Sequence, residues 1–503
     1  MNGRANPQDR DFADKFAPFP RKSSARELRK GGLAYSPHIL RSQPAVQSRA
    51  SDDRSHGRAC EICGLGHCWR ETVRRSPTAL AVIDGDSGRR WTRAELSAAA
   101  EAWRAQLPPG CALEGRFVLT AEPNGAQWFQ VFLGLLLAGA IPVPADATEP
   151  AATLMETARS VGAAWIWQGG RLTLVAHRRP VRRRDLCLVK LTSGSTGVPR
   201  ARRFTHAQML GDGSQVCATM GIRPDDLNLA VIPLGHSYGL GNLVVPLLAQ
   251  GTPLVCVASP LPNVLAADCA HWHPTVFPAV PTLLRALARA EVDPADFASL
   301  RLVISAGSAL PPDEASAFLV KFGRRVHGFY GASETGGISY DQSGEATLTG
   351  RSAGAPMQGV TLRWRRGQRF AVQSAAVMGG GSFAPADRGR LNELGELVLV
   401  GRAGRLVKIA GRRLDLAEIE AALRAVPGVR DACALAHPEL PDALAAAVAT
   451  DLAPADVRQA LRAKLAPWKI PERLLVLPEF PHTARGKTDR RRIEALLAAR
   501  RMK

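Results

Sequence analysis

The 503-residue sequence has no apolar run long enough to cross a membrane as a helix. Its longest, Val131 to Val143, falls short of the ~20 residues a span requires and is interrupted by glycine and proline, so it reads as a buried helix followed by a strand. The amino terminus is polar and charged, without the apolar stretch of a signal peptide. Nine cysteines, an odd number scattered along the chain, argue against a disulfide framework and for a reducing, cytoplasmic setting. Aromatic residues are only 6% of the chain, and no stacking platform or nucleic-acid motif interleaves with the basic runs, so no nucleic-acid partner is expected. Acidic residues are also short, 45 against 65 lysines and arginines. A Walker A loop, G-x-x-x-x-G-K-S/T, does not occur.

What is present is a chain too long for one ordinary core, with 46% hydrophobic residues to fill two or more domains. The formal charge of +20 is spread over separate arginine runs, Arg178 to Arg184, Arg363 to Arg369 and Arg485 to Arg501. These read as solvated surface rather than as a polyanion site, although such a field also steers anionic substrates. Residues 1–70 are rich in Arg, Ser, Pro and Gly without periodicity and are expected to form a loose basic extension. Within them Cys60 and Cys63, followed by His67 and Cys68, are too tightly spaced for an ordinary structural zinc site and read as a chance cluster.

Ordered structure is expected from the strand Pro77–Ile83. Thr92 and Glu95 form a capping box ahead of a helix with Leu96, Ala99, Ala100 and Trp103 on one face. Helical and short apolar segments then alternate to about residue 400, the pattern of α/β layers. Strands are expected at Leu186–Leu191, Leu302–Ile304, Ser374–Met378 and Gly395–Val400. Beyond a break at Gly401–Gly404 come a helix near Leu416–Ala425, a strand at Ala432–Ala436 and a helix near Pro454–Ala466, enough for a small second domain.

The densest chemistry lies in Leu191-Thr192-Ser193-Gly194-Ser195-Thr196-Gly197-Val198-Pro199-Arg200. Glycines let backbone N–H groups approach an anion, hydroxyls add donors, and the arginine adds charge, a composition suited to phosphate. Four more stretches follow in order: Pro233 to Asn242; Gly328-Phe329-Tyr330-Gly331-Ala332-Ser333-Glu334-Thr335; Asp387 through Gly401 to Arg413, running into Glu418–Glu420; and Pro481-His482-Thr483-Ala484-Arg485-Gly486-Lys487-Thr488-Asp489-Arg490.

Together these five stretches, over roughly residues 75–495, resemble the adenylate-forming superfamily, which includes acyl- and aryl-CoA synthetases, carrier-protein adenylation domains and luciferases. The resemblance implies an α/β fold. A large multi-sheet AMP-binding domain (71–401) would be followed by a hinge (402–404) and a small, mobile α+β domain (405–503). It implies that Thr192, Ser193, Gly194, Ser195, Thr196, Gly197 and Arg200 hold the ATP phosphates, with Glu334 and Thr196 at Mg²⁺ and Thr335 at the α-phosphate. Tyr330 would stack on adenine, the turn at Gly307 would line it, and Asp387 and Arg402 would hold the ribose. Lys487 would serve adenylate formation. A domain rotation about Gly404 would then bring Lys408 and Gly411 to a thioester-forming face, with CoA or a carrier protein's phosphopantetheine as acceptor.

The chain departs from the family pattern at several points. Arg200 replaces the usual lysine, Ala201-Arg202 replaces a small–aliphatic pair, Gly380-Gly381 replaces Gly-Tyr, and Gly404 replaces an Asp or Lys hinge. The segment from His236 to Asn242 contains no acid to pair with an α-ammonium, which argues against an amino-acid substrate. His236 resembles the gate residue of acyl- and aryl-CoA ligases, and an aromatic or medium-chain fatty acid is the expected small-molecule partner. Two alternatives stand beside the CoA ligase: an enzyme loading a separate acyl carrier protein, and a degenerate, non-catalytic or polyanion-binding protein.

Overall fold

The computed structural model describes residues 64–183, 185–192, 200–257, 259–402, 406–409, 412–437, 443–465, 467–483 and 488–499. The first described element is a helix, Leu65–Arg75, earlier than the strand expected to open the ordered region. Its buried stripe is short, Leu65, Trp69 and Thr72, set among arginines that disguise it in the sequence. Trp69 and Leu65 sink into the largest core cluster, and the Thr72 hydroxyl donates to Leu248 O at 2.9 Å. Burial of two such side chains is worth about 1.5–3 kcal/mol each, enough to dock one short helix. His67 and Cys68 lie on this helix, while Cys60 and Cys63 lie outside the described residues.

The body is built on a nine-stranded sheet whose middle is parallel. Leu80–Asp84, Leu254–Cys256, Asn228–Ala230, Val276–Ala279, Leu302–Ser305 and Val326–Ala332 run side by side in that order. Antiparallel strands close both edges: Arg89–Thr92 at one, Gly336–Tyr340 and Ala355–Pro356 at the other. A four-stranded sheet, Ile141–Pro144, Phe117–Ala121, Trp165–Gln168 and Arg171–Leu174, forms a second layer. The helix Ala126–Leu137 is buried along most of its length, as its largely apolar sequence requires, and the strand Ile141–Pro144 follows it. The capping box at Thr92 and Glu95 forms as the sequence indicates.

A five-stranded sheet contains Thr361–Arg365, Arg369–Gln373, Asp387–Leu391 and Leu397–Arg402, with Ser382–Phe383 paired beside Arg369–Gln373. The strand expected at Ser374–Met378 is therefore displaced to Arg369–Gln373, where Phe370 and Val372 alternate into the core; 374–378 is a turn. Residues 406–499 carry the small hairpin Leu406–Ile409 and Arg412–Asp415. They also carry a three-stranded sheet, Val429–Ala436, Leu444–Thr450 and Arg473–Leu477, packed by helices Leu416–Arg424, Pro454–Arg462 and Arg490–Ala499. The segment expected to be helical to Ala466 stops at Arg462. No described helix is long and apolar enough to cross a membrane.

Candidate active site

Parallel sheets deliver functional loops from the carboxyl ends of their strands, and here those ends open onto one cleft of about 1760 Å³. Ile232 follows the strand Asn228–Ala230, Gly307 follows Leu302–Ser305, and Tyr330 to Glu334 close Val326–Ala332; all line the cleft. Gly307 has φ +93°, a left-handed conformation that glycine adopts without a Cβ penalty.

The loop expected to hold phosphate joins two antiparallel strands, Leu186–Thr192 and Arg200–Thr205, rather than leading from a strand into a helix. Ser193, Gly194, Ser195, Thr196 and Gly197 lie outside the described residues. Its two ends are described: Thr192 and Arg200 are cross-strand partners and both line the cleft. The next pair of cations on this hairpin, Lys190 and Arg202, are also cross-strand partners. Lys190 is buried, with Nζ 3.7 Å from Asp212 Oδ2. Burial pushes its ammonium below the usual range against the pull of Asp212. Arg202 faces the cleft and its Nη2 lies 3.0 Å from Glu334 Oε1.

Asp212 links this hairpin to the Glu334 turn, because its Oδ1 accepts the Gly337 N–H at 3.1 Å. Gly336 has φ +68°, and a Cβ there would stand 2.2 Å from Asp212 Oδ1. The Glu334 turn therefore needs glycine at this position. Thr335 does not face the cleft: its side chain is fully buried and its hydroxyl donates to Gly336 O at 3.1 Å. In this arrangement the hydroxyl bonds within the turn that carries Glu334.

Elsewhere on the cleft wall, the Tyr330 hydroxyl donates to Asp387 Oδ2 at 2.9 Å, and Asp387 and Arg402 are backbone register partners. On the other side of the cleft, half-buried His236 precedes the short helix Ser237–Gly239. The rings of Tyr238 and Phe329 stand 5.7 Å apart. Asn124, which no sequence motif singles out, pins this segment. Its amide donates to Ala230 O and Ile232 O while its Oδ1 accepts the Leu234 N–H at 2.9 Å. The only local signal for it is a Pro123-Asn124-Gly125 turn after a buried strand.

Lys408 lies in the strand Leu406–Ile409, with Arg413 as register partner. Gly404, Gly411 and Lys487 lie outside the described residues, but the chain flanking Lys487 reaches the cleft. His482 and Thr483 line it, and His482 bridges antiparallel to Thr488. Arg402 ends the strand Leu397–Arg402, so the expected hinge begins inside a sheet.

Glu334 offers the cleft a hard carboxylate oxygen, the kind of ligand that Mg²⁺ takes. A Mg²⁺ at Glu334 would complete its shell with phosphate oxygens and water, the way this ion is commonly held.

The chain matches the AMP-binding enzyme family over residues 69–172 and 173–365, and the AMP-binding enzyme C-terminal domain over residues 418–487. It is 27% identical over 483 residues to a feruloyl-CoA synthase of an Amycolatopsis species, covering 84% of this chain and 97% of that protein. It is 29% identical over 376 residues to a 2-hydroxy-7-methoxy-5-methyl-1-naphthoate–CoA ligase of Streptomyces carzinostaticus, covering 67% of this chain and 66% of the relative. Among solved structures, ATP-bound MatB from Rhodopseudomonas palustris superposes with a TM-score of 0.74 at 20% identity, over 86% of this chain and 99% of that one. That likeness establishes a shared fold.

Proposed function

The chain belongs to the AMP-binding enzyme family of adenylate-forming enzymes, and from that premise we propose that it activates an aromatic carboxylic acid with ATP and transfers the acyl group to CoA. One observation carries the reading. A single cleft is lined both by the charged Arg200 and Glu334, beside Thr192, and by the aromatic Tyr238 and Phe329, with the Tyr330–Asp387 pair also on its wall. The aryl-CoA ligases among the relatives support an aromatic over a fatty substrate.

A carboxylate is a poor acyl donor because oxide is a poor leaving group. In the proposed first step a substrate carboxylate oxygen attacks the α-phosphorus, the bond to the pyrophosphate oxygen breaks, and the acid becomes an acyl adenylate. Bringing two anions together requires cations already in place. Arg200 stands at the mouth of the phosphate loop, and Lys487 is assigned to the attacking carboxylate and α-phosphate. Mg²⁺, when held by Glu334, would supply charge neutralisation at the phosphates. Tyr330 presents its ring to adenine and orients Asp387, whose ionised oxygens accept the ribose hydroxyls. In the second step the CoA thiolate sulfur attacks the acyl carbon and AMP leaves; Lys408 and Gly411 are assigned to that step.

Asp212 reaches the cleft, yet its charge is committed to Lys190 and to the Gly337 N–H. The segment 236–242 contributes no acid, so an α-ammonium would lack a counter-charge there. Pyrophosphate release with ATP, Mg²⁺ and a panel of aromatic and graded-length fatty acids, with and without CoA, tests the proposal. Release that depends on aromatic acids and is accelerated by CoA is expected. Release indifferent to CoA would transfer the second step to a carrier protein, and release confined to fatty acids would overturn the aromatic assignment.

A further inference from the structure

Lys190 and Arg202 are directly opposite one another in the hairpin that carries the phosphate loop. Opposed residues project from the same face of a pleated pair, and like charges so placed destabilise it unless each is compensated. Each has its own carboxylate, and the two pairs differ in kind. Lys190 and Asp212 are sealed, with side chains 1% and 5% exposed. Arg202 and Glu334 are 26% and 16% exposed and both line the cleft. Arg202 Nε, although buried, finds no hydrogen-bond partner among the described residues, so the guanidinium is not locked at every nitrogen. Arg202 also stands where the resemblance expects an aliphatic residue.

Glu334 is the carboxylate to which a divalent cation would come, and a guanidinium 3.0 Å away competes for the same oxygen. We propose that Arg202 is a positioning residue: a tethered cation that occupies Glu334 in the nucleotide-free protein and yields it to a metal–nucleotide complex. The inference rests on the reading that ATP binds in this cleft. Two effects of opposite sign follow. Without metal, Arg202 neutralises a carboxylate that would repel a triphosphate, and so favours nucleotide binding. With metal present, Arg202 is a competitor, and so raises the metal concentration that binding requires.

The test is calorimetric titration of the full chain with α,β-methylene-ATP, which cannot be cleaved at that bridge, in EDTA and across a Mn²⁺ series. Arg202→Val, neutral and suited to a strand, is expected to bind the metal-free analogue about tenfold more weakly than wild type. Its half-saturating Mn²⁺ is expected to fall by about tenfold. Arg202→Lys should stay near wild type, and Glu334→Gln should flatten the Mn²⁺ dependence. Arg202→Gln, polar throughout, must reproduce both shifts if valine unsettles the strand. Equal loss of affinity with and without Mn²⁺, or no change in either, would overturn the proposal while leaving the nucleotide site intact. A wild-type protein that binds the analogue under no condition would overturn the nucleotide reading as well.

Discussion

The Tyr330 hydroxyl donates to Asp387 Oδ2 at 2.9 Å although 57 residues separate them. Tyr330 belongs to the nine-stranded sheet and Asp387 begins a strand of the five-stranded one, so the bond ties two sheets together at the cleft. It also fixes the carboxylate rotamer beside the cleft. Asp387→Ala should weaken ATP binding by about 100-fold, since it removes an ionised acceptor. Tyr330→Phe keeps the ring and should weaken it by roughly tenfold or less. Calorimetry on the two variants checks the order; a larger loss in Tyr330→Phe would contradict the division of roles between ring and carboxylate.

The sealed Lys190–Asp212 pair makes a prediction about stability. Asp212→Asn leaves a buried ammonium without its counter-charge and should cost about 3–5 kcal/mol in urea unfolding. Adding Lys190→Met removes that charge, so the double variant should recover much of the loss. Additive losses in the cycle would show that the two groups act independently.

Glu396 accepts both arms of the Arg351 guanidinium at 2.9 Å, together with Ser352 and Asn392. Arg351 above all holds the Glu396 carboxyl at about 2, down from 4.5. A depressed carboxyl stabilises the fold above its unfolded value and loses that contribution as pH falls through its folded value. Glu396→Gln should therefore lower Tm at pH 7, with the gap to wild type closing between pH 4.5 and about 2. A gap independent of pH would mean that the side chain acts by packing alone.

Parts of this architecture were legible because they are local. Thr92 and Glu95 announce a capped helix within four residues, and the run Val131 to Val143 contains its own helix-to-strand break. The turn from Gly328 to Glu334 was legible as a motif, and the structure brings its Tyr330 and Glu334 to the cleft. Asp212 was not legible: on helix His206–Met220 it is one polar residue among others, and its role comes from Lys190 and Gly337, distant in sequence. The strand Arg200–Thr205 was hidden by its arginines, of which Arg202 makes sense only once Glu334 is across from it. The motif also does not say which way a hydroxyl points, and that of Thr335 is turned onto Gly336 O.

Lys487 and Lys408 are assigned to different half-reactions, and their alanine variants should separate them. Lys487→Ala should slow acid-dependent ATP–pyrophosphate exchange by about 100-fold or more while ATP still binds. Lys408→Ala should retain exchange and fail at thioester formation. Wild-type exchange in the first, or equal loss of both activities in the second, would reassign them.

Adenylate formation is tested most directly by mass spectrometry of the protein incubated with ATP, Mg²⁺ and an aromatic acid in the absence of CoA. A mixed anhydride of that acid with AMP is expected, formed by the wild type and lost in Glu334→Gln. Bound ATP that persists uncleaved across the panel of acids would contradict the proposed chemistry.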